Sequence, residues 1–494
     1  MGFVVSFKIL KSRKYSIYRE IPLKFTDLDG AGSCIRGRFQ ANSGRMTILA
    51  AEMNPMNIFQ KSYYLLIICS LGGCAASKKG IVKNDQATVS SSMPAEDKIS
   101  AKTDDFIENL MKSQPEYFDE ILQKRDSFNV QIIYTQINRQ ADNTPIFKNH
   151  YFNYEPTHYR YPASTVKMPV ALLALQRLHE LKIAGLDRKT AMITEAAYSG
   201  QTPVYNDPST ADGSPSIEQY IKKIFLVSDN DAFNRLYEFL GQEYINEHLH
   251  AMGYKSADIL HHLDLVMSED ENRHTNPVNF FGIDGKPVYE QAIQFNQAAY
   301  PNRKDAVGNG YYRNGQLINE PLDFSKKNRL LLYDLNEILK SILFPAAVSE
   351  KQRFNIAPED YKLVWQYMSQ FPPETISPVY DSSEFQDAFA KLLLYGTEKG
   401  SKPKHVRIFN KEGDAYGFLT DVAYIVDFEK NIEFMLSASI YCNRDGILND
   451  NKYDYDTLGY PFMKHLGEII YNYELKRERQ YAPDLSVFRM QYDK

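Results

Sequence analysis

Tyr161-Pro162-Ala163-Ser164-Thr165-Val166-Lys167-Met168-Pro169-Val170-Ala171-Leu172-Leu173-Ala174-Leu175 sets a serine and a lysine three residues apart at the head of an apolar run. Apolar residues recur at helical spacing from Ala171 to Leu181, and Pro169 is tolerated only near a helix start, so the helix is expected to begin near Ala163. Residues three apart share a helix face, which brings Lys167 beside Ser164. A serine hydroxyl is a poor nucleophile at its free pKa and needs a base within hydrogen-bond reach. A lysine partly desolvated near other cationic groups is able to take that proton. With Ser164 at the helix start, its backbone N–H is also available to an oxyanion.

The pair does not decide the matter alone, because Ser401 and Lys404 repeat the spacing in a charged, proline-containing stretch that reads as a solvated turn. Two further elements give Ser164 its weight. Ser228-Asp229-Asn230 lies between two segments of helical pattern, and Lys411-Glu412-Gly413 precedes the strand-like run at Asp421. In this order the three resemble the Ser-x-x-Lys, Ser-Asp-Asn and Lys-Thr-Gly set of class A β-lactamases and penicillin-binding proteins. The flanks agree: Asp231-Ala232-Phe233-Asn234-Arg235-Leu236 follows the second element, and Asp414-Ala415-Tyr416-Gly417 the third. The resemblance spans about residues 104–476, with an extra segment near 279–327.

The resemblance implies roles residue by residue. Ser164 would attack a carbonyl and Lys167 accept its proton, while Ser228 would pass a proton to the leaving nitrogen. Asn230 would orient Lys167 and the substrate amide, and Lys411 would attract a substrate carboxylate. The N–H groups of Ser164 and Asp414, beside Gly413, would form the oxyanion hole. Taken singly, Ser228 and Asn230 also read as helix-capping residues. No cofactor and no metal are implied.

Two departures stand out. Glu412 occupies the place of the usual Thr or Ser, and an ionised Glu repels a substrate carboxylate instead of donating to it. Either Glu412 turns away or the natural substrate lacks that carboxylate. The loop after the second element, which in class A enzymes carries a water-activating Glu, begins at Leu263-Asp264 but is short, and the expected position falls near Met267. Glu269 and Glu271 are the candidates for that base, against the alternative of a charged turn.

The rest of the 494-residue chain gives the context. A formal charge of -5, with 24% charged and 43% hydrophobic residues, fits a globular protein with a core and lacks the basic footprint of a nucleic-acid binder. Lys61, the apolar run Tyr63 to Ile68 and Leu71-Gly72-Gly73-Cys74 make up a secretory signal whose end resembles a bacterial lipobox. Cys74 is the expected lipidation site, with localisation at the cell envelope, anchored to a membrane by lipid and facing the periplasm or exterior. Residues 53–73 are then the signal, 74–103 a flexible tether, and 1–52 an extension from a misassigned start codon, since Met53 or Met56 would give a signal of ordinary length.

A long amphipathic helix is expected from Asp104 to about Arg125, a strand over Val130–Asn138, helices over Ser216–Phe225, Asp231–Leu240, Leu330–Leu343 and Pro358–Phe371, strands over Val406–Phe409, Asp421–Phe428 and Ile432–Tyr441, and a closing helix over Tyr460–Leu475. Residues 477–494 read as a tail. The fold class is α+β, of the β-lactamase/transpeptidase type: an antiparallel sheet built from both chain ends, flanked by helices, with an inserted mainly helical subdomain. The function this implies is a serine hydrolase, acting as a monomer on a small-molecule β-lactam or a peptidoglycan-like amide through an acyl-enzyme. A cell-envelope D,D-peptidase or esterase with the same serine, or a sensor domain that is acylated without turnover, are the alternatives. The 279–327 segment, with Tyr289, Phe295, Tyr300, Tyr311 and Tyr312, is either a lid or packed decoration.

Overall fold

In this computed structural model the chain divides into two units, Met1–Ser92 and Met93–Lys494. The structure describes residues 103–494 and, before them, only the antiparallel two-residue strands Leu23–Lys24 and Cys34–Ile35. The proposed extension, signal, lipidation site at Cys74 and nearly all of the tether lie outside the described residues.

The second unit is organised around one antiparallel sheet. Its strands are β1 (Gln131–Arg139), β2 (Pro145–Phe152), β3 (Val406–Ala415), β4 (Phe418–Asp427) and β5 (Ile432–Tyr441), in the spatial order β3-β4-β5-β1-β2. Both ends of the chain therefore share a single ladder, and Phe434 pairs with Gln136 across the β5–β1 seam. Successive strand side chains point to opposite faces. Ile133, Ile137, Phe409, Val422, Tyr424 and Met435 enter one core, while Ile132, Tyr134, Ile408, Leu419, Ile425 and Phe434 enter the other.

The second core is covered by α1 (Asp105–Lys112), α2 (Pro115–Gln123) and a C-terminal helix. The single helix expected over 104–125 is two, because Pro115 cannot continue α1; Ser113 closes it and Pro115 takes the first position of α2. Over the first core lie α3 (Lys167–Leu181), α4 (Ile217–Val227), α5 (Asn230–Leu240), α6 (Gln242–Met252), α7 (Leu332–Leu343) and α8 (Pro358–Ser369). The C-terminal helix is α9 (Tyr460–Lys476). α3 is the axis of the helical layer, buried at every position from Lys167 to Gln176. An antiparallel sheet with helices on both faces and a helical subdomain between its N- and C-terminal strands is the expected fold class.

The segment after the helical layer is mostly short strands. Val278–Phe281 pairs with Ala191–Thr194 and with Pro287–Gln291, and the Asn314-Gly315 turn joins a small hairpin. Its Val307, Tyr311 and Phe324 pack with Tyr161, Ala163 and Phe418 into a third apolar cluster. Tyr311 is thus core, and Tyr300 anchors the loop through Gln242 and the Leu260 carbonyl. Phe295 stays exposed, its ring against His274, and Tyr312 is exposed as well. Through Val307, Tyr311 and Phe324 part of this stretch packs next to the serine turn, while residues 312–317 and 319–321 are exposed. The C-terminal 477–494 stretch is no loose tail: Phe488, 1% exposed, wedges its ring among Phe344, Phe409 and Tyr424.

Candidate active site

Ser164 sits in a 3-10 turn, Ala163–Val166, that runs directly into α3 at Lys167. Ala163 just before it has φ +47, in the left-handed region that residues with a Cβ seldom occupy. The turn is held against β3. A Cβ built on Gly413 would lie 2.6 Å from the Ser164 nitrogen and 2.9 Å from that of Thr165, so only glycine allows this approach. Asp414 is the next residue along the strand. Lys411-Glu412-Gly413 precedes β4, the strand that holds Asp421, as the sequence suggested, and itself lies inside the ten-residue β3, because the β3–β4 pairing runs unbroken through it.

Ser228-Asp229-Asn230 is a corner between two helices. Ser228 ends α4 in a left-handed conformation, φ 59 and ψ 40, Asp229 caps α5 by accepting the Ala232 N–H at 2.8 Å, and Asn230 is the first residue of α5. Capping belongs to Asp229, which leaves the Ser228 and Asn230 side chains to face Lys167.

Lys167 Nζ is within 2.8 Å of Ser164 Oγ, 2.7 Å of the Ser228 carbonyl oxygen, 2.7 Å of Asn230 Oδ1 and 3.3 Å of Ser228 Oγ. Complete burial, helped by the positive charge of Lys411, pushes its pKa well below the ordinary lysine value. In the neutral form Nζ donates to the Ser228 carbonyl and Asn230 Oδ1 and presents its lone pair to the Ser164 hydroxyl. Lys411 Nζ donates to Ser228 Oγ at 2.8 Å and to the Glu412 carbonyl at 2.7 Å. Ser228 Oγ lies between the two lysines, where a proton can pass to a leaving group.

Strand alternation sets Glu412 on the far face from Lys411. At this edge of the sheet its carboxylate nevertheless curls back, with Oε1 3.7 Å from Lys411 Nζ and both side chains 2% exposed. Glu412 does not turn away from the charge centre; its charge is among those that oppose the fall in the Lys167 pKa.

Glu269 and Glu271 are engaged elsewhere. Glu269 binds Arg273 at 2.8 Å and Lys326 at 2.6 Å, and the Lys326 bond leads in holding its carboxyl below the usual range. Glu271 closes a capping box with Ser268 and accepts from Ser199 Oγ at 2.7 Å, with the Ser268 N–H leading in lowering its pKa. Their recorded partners are all outside the Ser164–Lys167 cluster. Both sit in the short helix Glu269–Arg273, which Ser268 caps.

On the same loop, Asp264 is near enough for Asn230 and the charge of Lys167 to act on its carboxyl. Partial desolvation raises its pKa, against the opposing pull of Asn230 and Lys167. Asp264 has φ +58. Asn234, buried in α5, clamps the preceding residue twice, accepting from Leu263 N at 2.9 Å and donating to Leu263 O at 3.0 Å. Beneath, His262 contacts Asn272 Oδ1 through Nδ1 at 2.9 Å and the Glu238 carboxylate through Nε2. The sequence marked Leu263-Asp264 as the start of this loop and placed the expected position of the base near Met267.

Residues 116–283 match the model of the beta-lactamase enzyme family. The matched stretch holds Ser164, Lys167, Ser228, Asn230 and Asp264, and stops short of Lys411. Among solved structures the chain is similar to PBP-A, at 14% identity and TM-score 0.40, over 75% of this chain and 97% of that one. It is similar also to a beta-lactamase from Sphaerobacter thermophilus, at 12% identity and TM-score 0.40 over 76% and 99%. A third is a beta-lactamase from Chitinophaga pinensis, at 8% and 0.40 over 72% and 99%. A search of curated proteins found no match. Among the described residues no group of His, Cys, Asp and Glu is placed to hold a metal ion.

Proposed function

We propose that the protein is a serine hydrolase resembling class A β-lactamases, which opens an amide by forming an ester on Ser164. The observation that carries this reading is the buried Lys167 Nζ, 2.8 Å from Ser164 Oγ and depressed in pKa by burial and by Lys411. Lys167 takes the serine proton as Oγ attacks the carbonyl carbon. Ser164 and Asp414 N–H groups stabilise the oxyanion, and Ser228 delivers the proton to the departing nitrogen. Asn230 holds the substrate amide. Cys74 carries a lipid that tethers the domain to a membrane of the cell envelope, facing the periplasm or exterior.

One observation favours a second substrate class. With the Glu412 carboxylate 3.7 Å from Lys411 Nζ, the charge that would draw a substrate carboxylate is already opposed inside the site. An amide or ester without that carboxylate suits the site better than a penicillin does.

Intact mass followed over time with benzylpenicillin and with p-nitrophenyl acetate tests both readings. The wild type should gain one acyl group that Ser164→Ala does not, and the neutral ester should acylate faster relative to its intrinsic reactivity. An equal adduct on Ser164→Ala removes the nucleophile.

A further inference from the structure

A carbonyl attacked by Ser164 Oγ has a leaving half and an acyl half, and the site gives each a direction. Ser228 Oγ, the proton donor to the leaving nitrogen in the reading above, sits against Lys411 Nζ at 2.8 Å. Lys411 stands two residues before Gly413, the point at which β3 meets the Ser164 amide. The leaving half therefore extends toward Lys411, and the acyl half runs the other way along β3, toward Tyr416. At a strand rise of roughly 3.3 Å per residue, Tyr416 stands about 10 Å beyond Gly413. Tyr416 and Gly417, with φ 55 and 84, form the two-residue turn that joins β3 to β4.

Lys327, at the end of the extra segment, places its Nζ 5.6 Å from the centre of the Tyr416 ring. Among the described residues it has no carboxylate partner: neighbouring Lys326 holds Glu269, and the Asp323 carboxyl accepts from the Ser325 N–H. We propose that Lys327 binds a carboxylate on the acyl half of the substrate, a specificity that rests on the Ser164 ester described above. At the other end of the site Lys411 is opposed by Glu412, 3.7 Å away. The preference for an anion thus moves from the leaving side of the carbonyl to its acyl side.

The backbone around Lys327 is fixed from several directions. Its N–H closes a turn on the Phe324 carbonyl at 2.8 Å, and Arg303 Nη2 donates to the carbonyls of both Ser325 and Lys327. The next residue, buried Asn328, accepts through Oδ1 from the Leu260 and His261 N–H groups at 2.8 and 3.2 Å. Its carbonyl accepts from the Tyr159 hydroxyl at 2.7 Å. The Phe324 ring packs 5.2 Å from that of Tyr416, so turn and hairpin tip form one surface. Lys327 is itself half-buried, which lessens the screening of a bound anion. His261, its ring parallel to that of Tyr161, adds no second charge, because burial first and then the charge of Lys327 press its pKa down to about 3.

Mono-p-nitrophenyl suberate and p-nitrophenyl octanoate test this, since their acyl chains are of equal length and differ by a terminal carboxylate. Release of p-nitrophenolate by wild type, Lys327→Met, Lys327→Arg and Ser164→Ala gives kcat/KM for each ester. Lys327→Met should lower kcat/KM for the suberate about 10-fold, the scale of a lost charge-assisted hydrogen bond, and leave the octanoate within about twofold. Lys327→Arg keeps the charge and should hold the suberate within about threefold of wild type. Added salt should erode the suberate rate in wild type and not in Lys327→Met. An unchanged suberate rate in Lys327→Met, an equal loss on both esters, or a Lys327→Arg as slow as Lys327→Met overturns the proposal. Release by wild type no faster than by Ser164→Ala on both esters removes the Ser164 reading itself, and this proposal with it.

Discussion

Lys167 brings one nitrogen against Ser164 Oγ, the Ser228 carbonyl and Asn230 Oδ1, all within 2.8 Å. Burial leads in depressing its pKa and Lys411 adds to it. The sign for activity follows. The neutral, proton-accepting form exists above the depressed pKa, so acylation should rise as pH passes through that value and level off well below the ordinary lysine pKa. Replacing Lys411 by Met removes a neighbouring positive charge, raises the Lys167 pKa and should move this limb to higher pH. Rates of adduct formation across a pH series, using the neutral ester, check the direction. At this scale the sequence revealed residue types and order. It did not reveal that Glu412 folds round a sheet edge toward Lys411, nor that Asp264 comes within reach of the charge of Lys167. Both depend on where a backbone turns, which spacing along the chain does not specify.

At the scale of elements, the site is a meeting of one 3-10 turn, one strand and one helix corner. Ser228-Asp229-Asn230 achieves its geometry by ending α4 and starting α5 within three residues. Asp229 satisfies the helix N-terminus, and its neighbours are left to the chemistry. Gly413 sets the distance between turn and strand. Gly413→Ala should displace the Ser164 amide, because its Cβ would otherwise sit 2.6 Å from that nitrogen. Backbone on both sides resists the shift, so adduct formation should fall by roughly 100-fold or more, as for loss of an oxyanion donor, while circular dichroism stays that of the folded protein. The helix and strand periods were legible here: the strand at Ile432–Tyr441 and the helix after Asp229 stand where the pattern set them. The failures have local causes. Pro115 splits α1 from α2, and β3 continues through charged Lys411 and Glu412 because pairing with β4 overrides their low strand propensity.

At the scale of the molecule, the two ends of the domain close one sheet. Arg139 of β1 binds Glu433 of β5 through two contacts, at 2.6 and 2.7 Å, and the Tyr424 hydroxyl donates to the same carboxylate at 2.7 Å. The chain beyond α9 then returns to pack Phe488 against Tyr424 and Phe409, on the face of the sheet that also supports Lys411. Phe488→Ala should cost about 3–5 kcal/mol, the usual scale for truncating a buried phenylalanine. Urea unfolding monitored by fluorescence reads this as a lower midpoint. The aromatic wall of Tyr161, Phe324 and Tyr416 beside Ala163 is likewise a product of the whole chain, since its members come from three distant stretches.

The sequence by itself determined the order of the chemical elements, Ser164 with Lys167, then Ser228 with Asn230, then Lys411, and with them the α+β fold class. Those follow from local periodicity and from residue types that one chemistry requires at fixed spacings. Tertiary structure alone decided which carboxylates face that chemistry. It ties Glu269 and Glu271 into a short capped helix, brings Glu412 to Lys411 and brings Asp264 within reach of the charge of Lys167. A carboxylate's role depends on the charges and donors within a few ångströms of it, and those neighbours are contributed by segments far apart along the chain.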